Sequence, residues 1–192
     1  GSGIIHQEMP QPSERMLGCQ LWVNLPAKDK MTMPAYGDIT QEDVEIVEEE
    51  NALVRIISGS YKGRSGAFQG EYIKVKYLDV ELAPNATWSY SETPNKETLF
   101  IYLLDGTLAP DENLSAFENK ACAVLFTSDN PESTENDRIT VKSGGEGARF
   151  ILLAGKPLRE PVSWGGPIVM NTREELNLAF EELDNGTFIK HK

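Results

Sequence analysis

Residues 75–108 read VKYLDVELAPNATWSYSETPNKETLFIYLLDGTL, and the alternation in this stretch decides the fold. Leu78, Val80 and Leu82 alternate with Asp79 and Glu81, the period of a strand with one buried and one wet face. Pro84 and Asn85 break the run with turn chemistry. Thr98 to Leu104 is a nearly continuous apolar strand, and Asp105-Gly106 predicts a tight hairpin. Two strong strands with a polar loop between them make the centre of a small β-barrel or sandwich. In many such barrels that loop carries metal ligands. Here it carries Trp88, Ser89 and Tyr90, and no histidine.

Working outward, Leu53 to Ile57 predicts a short buried strand, and Glu42 to Glu50 a wet strand face on which Val44, Ile46 and Val47 interleave with acids. Thr40 and Asp43 suit one capped turn. Ser58 to Gly70 is glycine-rich but lacks the Gly-Lys-Ser/Thr ending of a phosphate cradle, so it predicts a flexible loop or bulged hairpin. Ala121 to Phe126, Arg138 to Val141 and Ala148 to Ala154 predict further strands. A polar loop (128–138) and SGGEG (143–147) separate them. Strands at this spacing, divided by turn residues, give an all-β antiparallel sandwich or barrel rather than a parallel α/β sheet.

The two ends differ from this middle. Ile4 and Ile5 begin a strand that carries His6 and Glu8, and Cys19, Leu21, Val23 and Leu25 alternate as another. Pro26 closes it, and the irregular stretch that follows reads as an interdomain linker. At the other end Thr172 and Glu175 form a capping box. Leu176, Ala179, Phe180 and Leu183 fall at i, i+3, i+4 and i+7, and Gly186 stands where a C-terminal cap belongs. This is an amphipathic helix of about three turns.

The chain has 192 residues, of which 18 are basic and 30 acidic, for a formal net charge of -12. Such a balance opposes direct nucleic-acid binding, because no excess of Lys and Arg is available to release counterions, and it favours a basic protein partner. No apolar run is long enough to span a bilayer and no signal peptide precedes the first strand, so no membrane role is expected. Cys19 and Cys122 predict two buried, reduced thiols, which with the missing leader suggests a cytoplasmic protein.

His6 and Glu8 lie two apart, so on a strand both point to one face with alpha carbons about 6.5–7 Å apart. That spacing lets an imidazole and a carboxylate converge on one metal ion. As a bare pattern His-x-Glu also describes a solvated strand face. The other histidine, His191, stands at the far terminus.

Several segments resemble the pirin family of two-domain cupins: GSGIIHQEMP (1–10), LWVNLPAKDKM (21–31), YLDVELAPNA (77–86), FIYLLDG (100–106) and LLAGKPLREPVSWGGPIVMNTREEL (152–176). The resemblance implies two cupin barrels in tandem, with one mononuclear transition metal, usually iron, in the N-terminal barrel. It implies a quercetin 2,3-dioxygenase-like activity on a flavonol-like small molecule. As an alternative, it implies a non-enzymatic, iron-dependent regulatory module that binds protein partners. The family's site joins a His-x-His pair to a His-x-Glu pair, and GIIHQEMP matches the second. His6 and Glu8 are therefore the expected metal ligands, and Glu8 a candidate catalytic carboxylate.

The His-x-His half is missing from this sequence, with most of the first barrel. The expected organisation is a remnant of the N-terminal barrel plus linker over 1–48, a C-terminal cupin jelly roll over 49–166, and a helix and tail over 167–192. No metal is expected in the C-terminal barrel, since no histidine stands between Gln7 and Lys190. This chain alone is expected to be inactive. Its exposed N-terminal arm is expected to associate with a protein partner or with a second copy.

Overall fold

The structure is a computed structural model that describes residues 1–14, 16–92, 97–111, 113–127 and 138–191. Among these residues the chain divides into two compact units: residues 38–157, and residues 1–37 together with 158–192.

Residues 38–157 form the β unit. In chain order its strands are β1 (Glu45–Glu49), β2 (Ala52–Ser58), β3 (Ser60–Tyr61), β4 (Arg64–Ser65), β5 (Val75–Leu82), β6 (Thr87–Tyr90), β7 (Thr98–Ala109), β8 (Glu118–Asn119), β9 (Ala123–Phe126) and β10 (Ile139–Gly155). Eight of them make one antiparallel sheet with the path β1-β2-β5-β10-β7-β8, while β6 pairs with β10 and β9 with β7. The short β3–β4 hairpin stands apart. This is the expected all-β antiparallel cupin architecture.

Strand β10 organises the unit. Its first part, Ile139–Lys142, pairs with β6, and its second part, Ala148–Gly155, pairs with β5. One strand edge thus serves two partners, so the sheet folds over at residues 143–147. Two separate strands were expected here, with SGGEG as the turn between them; instead β10 continues through it as a bulge, with the register to β7 shifting between Ser143 and Ala148.

The Asp105-Gly106 hairpin is corrected in the same way. Strand β7 runs unbroken from Thr98 to Ala109; Gly106 pairs with Ala148 and Asp105 with Arg149, and the register shifts on either side of them, the extra residue between Leu103 and Asp105 making a bulge. Gly106 has φ +75° and Gly147 φ +79°. A Cβ on Gly106 would lie 2.2 Å from the Gly147 carbonyl oxygen, so only glycine admits this approach of two backbones. Ser143, fully buried, fixes the corner. Its hydroxyl donates to Ala83 O (2.6 Å) and accepts from Ala86 N (2.9 Å).

The alternation in β5 is as expected, with Leu78, Val80 and Leu82 buried. They join Val54, Ile56, Ile101, Leu103, Phe150 and Leu152 in one core cluster. Opposite faces of β2, β5 and β10 carry ions. Asp79 accepts two hydrogen bonds from Arg149 (Nε to Oδ1 2.9 Å, NH2 to Oδ2 2.6 Å), and Arg55 reaches Glu81 at 3.1 Å. The polar loop expected at 128–138 lies, apart from Arg138, outside the described residues.

The second unit holds a 3-10 turn (Ala27–Asp29), a hairpin of β11 (Ser163–Gly165) and β12 (Ile168–Met170), and helix α1 (Arg173–Asp184). Both helix caps form as expected. Thr172 Oγ1 accepts from Glu175 N (3.2 Å), and Glu175 reaches back to Asn171 N (3.0 Å). At the other end Gly186 N donates to Leu183 O and Thr187 N to Glu182 O, a Schellman pair. Most of the apolar stripe of α1 packs on its own hairpin, Leu176 and Ala179 clustering with Ile168, Met170, Phe180 and Phe188, while Leu183, expected on the stripe, is exposed.

Two expected strands do not form. Residues 4–8 and 19–25 belong to no strand of the described chain, although both have strand periodicity. Alternation makes a segment suited to a sheet, but a strand exists only when another backbone supplies its hydrogen bonds. The buried-thiol expectation also fails. Cys19 lies exposed on this arm, and Cys122 is half-buried just before edge strand β9 with its Sγ 3.7 Å from Glu118. Both thiols are free.

Candidate functional site

The N-terminal arm carries both expected ligands. Its start is anchored: Ser2 N donates to Thr32 O (2.8 Å), and Gly3 lies against the Phe188 ring. Beyond this anchor the chain emerges, and His6 and Glu8 are both exposed.

Lys30 holds the centre of this unit. It is only 5% exposed, and its Nζ donates to Leu25 O (3.0 Å) and to Asn24 Oδ1. Burial lowers its pKa, against the opposing fields of Glu160 and Glu175. Glu160 also accepts from Ala27 N at 2.7 Å. These contacts tie the 24–30 segment to the C-terminal hairpin and helix across more than a hundred residues of sequence. Nothing in PAKDK announces this role, because it depends on partners far away in the chain.

The C-terminal tail folds back on the arm. Gly3, Ile4, Ile5, Met33, Pro34, Ile189 and His191 line a cleft of about 390 Å³. His191 is thus brought beside the residues that lead into His6, a proximity that sequence spacing does not require. His6 and Glu8 are not part of the cleft lining. Among the described residues, no three His, Cys, Asp or Glu side chains gather as a metal site. The donor types at His6 and Glu8 suit a transition metal, but two exposed donors fall short of the three or four that such a site uses. The described residues of this chain do not by themselves fit a bound catalytic ion.

The interior of the β unit holds an aromatic cluster. Trp88 and Tyr90, expected in a loop, lie on β6 with both rings buried, and they stack at 5.8 Å between centroids. Tyr61 packs on both at 6.2 Å, and Phe150 meets Trp88 edge-on at 5.8 Å. The Tyr61 hydroxyl donates to Glu49 Oε1 at 2.6 Å. Burial raises the Tyr61 pKa most, and the Glu49 carboxylate raises it further. Trp88 Nε1 lies near enough to that hydroxyl to offset part of the rise, but it closes no hydrogen bond of normal geometry. Four aromatic rings thus pack on one another inside the β unit. Sequence reading passed over Tyr61, which sits in a segment resembling a loop. Its only signal was an aromatic residue inside a glycine-rich turn.

Comparison with known proteins agrees with this architecture. The family model described as the pirin C-terminal cupin domain matches residues 77–189. A Thermoplasma acidophilum protein named as a candidate quercetin 2,3-dioxygenase is 35% identical over 100% of this chain and 77% of its own length. Human Pirin is 35% identical over 96% of this chain and 61% of its own. A crystal structure of quercetin 2,3-dioxygenase from Acinetobacter baumannii superposes with a TM-score of 0.74 at 27% identity, covering 87% of this chain and 55% of that one. The chain therefore spans little more than half to about three quarters of the length of these relatives. No helix among the described residues is long and apolar enough to cross a membrane. With a matching domain model and this identity along its length, the chain belongs to the pirin family.

Proposed function

We propose that this chain is the C-terminal part of a metal-dependent oxidoreductase of the quercetin 2,3-dioxygenase type, acting on a flavonol-like polyphenol. The observation that carries the proposal is the identity of 35% with the Thermoplasma protein across the whole chain, His6 and Glu8 included in the aligned span. On this reading His6 and Glu8 supply one imidazole and one carboxylate to a single ion, iron in the first instance. The remaining ligands come from the part of the relatives that this chain does not cover. Glu8, beside bound substrate, is the carboxylate that takes up a phenolic proton.

The test uses the protein extended to the length of its relatives, loaded with iron, nickel, copper or manganese in turn. Oxygen uptake with quercetin is expected, falling by about 100-fold or more in both His6→Ala and Glu8→Gln. Undiminished turnover in these variants would remove both residues from the site. A second reading is an iron-dependent regulatory module that binds a protein partner, and the net charge of -12 favours a basic one. It requires metal-dependent partner affinity without oxygen uptake.

A further inference from the structure

Three of the rings inside the β unit belong to oxidisable side chains. Tyr61 on β3 and Trp88 and Tyr90 on β6 are in mutual contact, and each is buried. Packing alone accounts for an aromatic cluster, since such pairs stabilise a core beyond the area they bury. The polar groups set around this one go further.

The Tyr61 hydroxyl donates to Glu49 Oε1 at 2.6 Å, within the reach at which a carboxylate takes up a proton. Lys62 Nζ holds the same oxygen at 3.0 Å. Trp88 Nε1, by contrast, is buried with no hydrogen-bond partner among the described residues. Both tyrosine rings lie under an ammonium group. Lys62 Nζ stands 5.6 Å from the Tyr61 centroid, and Lys76 Nζ 5.3 Å from that of Tyr90. Glu92 ties the two lysines together, accepting from Lys62 N at 2.9 Å and pairing with Lys76 Nζ at 3.3 Å.

A buried ring beneath a cation resists a positive charge of its own. It gives up an electron readily only if a proton leaves with it. At Trp88 no acceptor is in place for that proton, whereas at Tyr61 the Glu49 carboxylate already holds it.

We infer that Tyr61 is a one-electron oxidation site, with Glu49 as its proton acceptor and Trp88 and Tyr90 as the stacked rings that share the electron loss before it settles there. A strong one-electron oxidant, of the high-valent metal-complex or oxyl-radical class, takes one electron from the cluster. The Tyr61 O–H bond breaks, the proton passes to Glu49 Oε1, and a neutral tyrosyl radical is left facing a neutral carboxyl. The pair thereby goes from one negative charge to none, a change that burial favours. Burial also keeps the radical from meeting a second one. The β unit acts as an internal electron donor, and none of this uses the metal ligands or the flavonol chemistry proposed above.

The test is flash oxidation of the 192-residue chain by photogenerated ruthenium(III) tris-bipyridyl, with persulfate as terminal acceptor. It is followed by transient absorption and by electron paramagnetic resonance of rapidly frozen samples. Exposed tyrosines such as Tyr36 should give short-lived radicals that couple to dityrosine. Tyr61 should give a persistent neutral tyrosyl signal, absent in Tyr61→Phe. Glu49→Gln keeps the side chain's shape and removes the base, and should slow formation of that signal by about 100-fold. A persistent tyrosyl signal of equal yield in Tyr61→Phe overturns the inference, as does an undiminished rate in Glu49→Gln. So does a tryptophan radical that decays without passing to tyrosine. The unaltered chain supplies a test that needs no variant. The persistent signal must rise more slowly in deuterium oxide, because proton and electron leave together; equal rates in the two solvents overturn the inference.

Discussion

The β unit and the unit built from the chain's two ends contrast in how completely each satisfies its own sequence. In residues 38–157 the alternating strands find partners, and their apolar faces meet in one cluster around Phe150, Leu78 and Leu152. In residues 1–37 the same kind of alternation ends in exposed Leu21, Trp22 and Val23. The residues with chemical interest, His6 and Glu8, lie in this second region. Stability and candidate chemistry thus sit in different parts of the chain, which leads to measurable asymmetries.

The largest expected asymmetry is in core truncation. Phe150→Ala removes a fully buried ring that packs edge-on against Trp88, and should cost about 3–5 kcal/mol in urea unfolding followed by circular dichroism. Trp22→Ala, an equally drastic truncation on the arm, should cost no more than about 0.5 kcal/mol in the 192-residue chain. Equal losses would mean that the arm is as well packed as the sheet.

Next in size is the bulge. Gly106→Ala forces a side chain into φ +75° and against the Gly147 carbonyl, with an expected cost of about 1–3 kcal/mol or more. A hairpin at Asp105-Gly106 would have left this position open, so a neutral outcome would contradict the bulge.

Tyr61 gives the β unit a pH signature. Its folded pKa is raised by burial and by Glu49, so its contribution is fully present below the unfolded value of about 10 and is lost as pH rises through the higher folded value. Thermal scans should show stability falling above about pH 10, with a smaller fall in Tyr61→Phe. At neutral pH that variant loses the hydrogen bond to Glu49, worth about 1–2 kcal/mol. The smallest effect belongs to the helix cap, where Thr172→Ala should cost about 1 kcal/mol, read as fraying of α1 by amide exchange.

The parts of the fold that depend on local pattern were legible in the sequence. Leu78, Val80 and Leu82 announced a half-buried strand, and Thr172 with Glu175 announced the start of a helix that begins there. Positions where one local signal fits two structures were not legible. Asp105-Gly106 and SGGEG supply left-handed backbone, which a hairpin and a bulge both need; the choice rests on the approach of β7 to β10. Cys19–Leu25 carried a correct period, but no sequence pattern records whether a partner strand is present. Tyr61 and Lys30 escaped notice because Glu49 and Glu160, which give them their roles, are distant in sequence. The candidate ligands His6 and Glu8 were singled out by the His-x-Glu spacing together with the resemblance of GIIHQEMP to the pirin pattern. The return of His191 to the arm was not legible, since it depends on Phe188 packing against Gly3.

The central claim is that this chain holds a complete sheet but only part of a metal site. Calorimetric titration of nickel, and of ferrous iron without oxygen, into the purified 192-residue chain tests it most directly. The account predicts no saturable one-to-one binding in the low micromolar range, with the sheet's melting temperature unmoved by metal. One-to-one sub-micromolar binding that disappears in both His6→Ala and Glu8→Gln would contradict it, showing that the two exposed donors recruit the rest of a site from this chain.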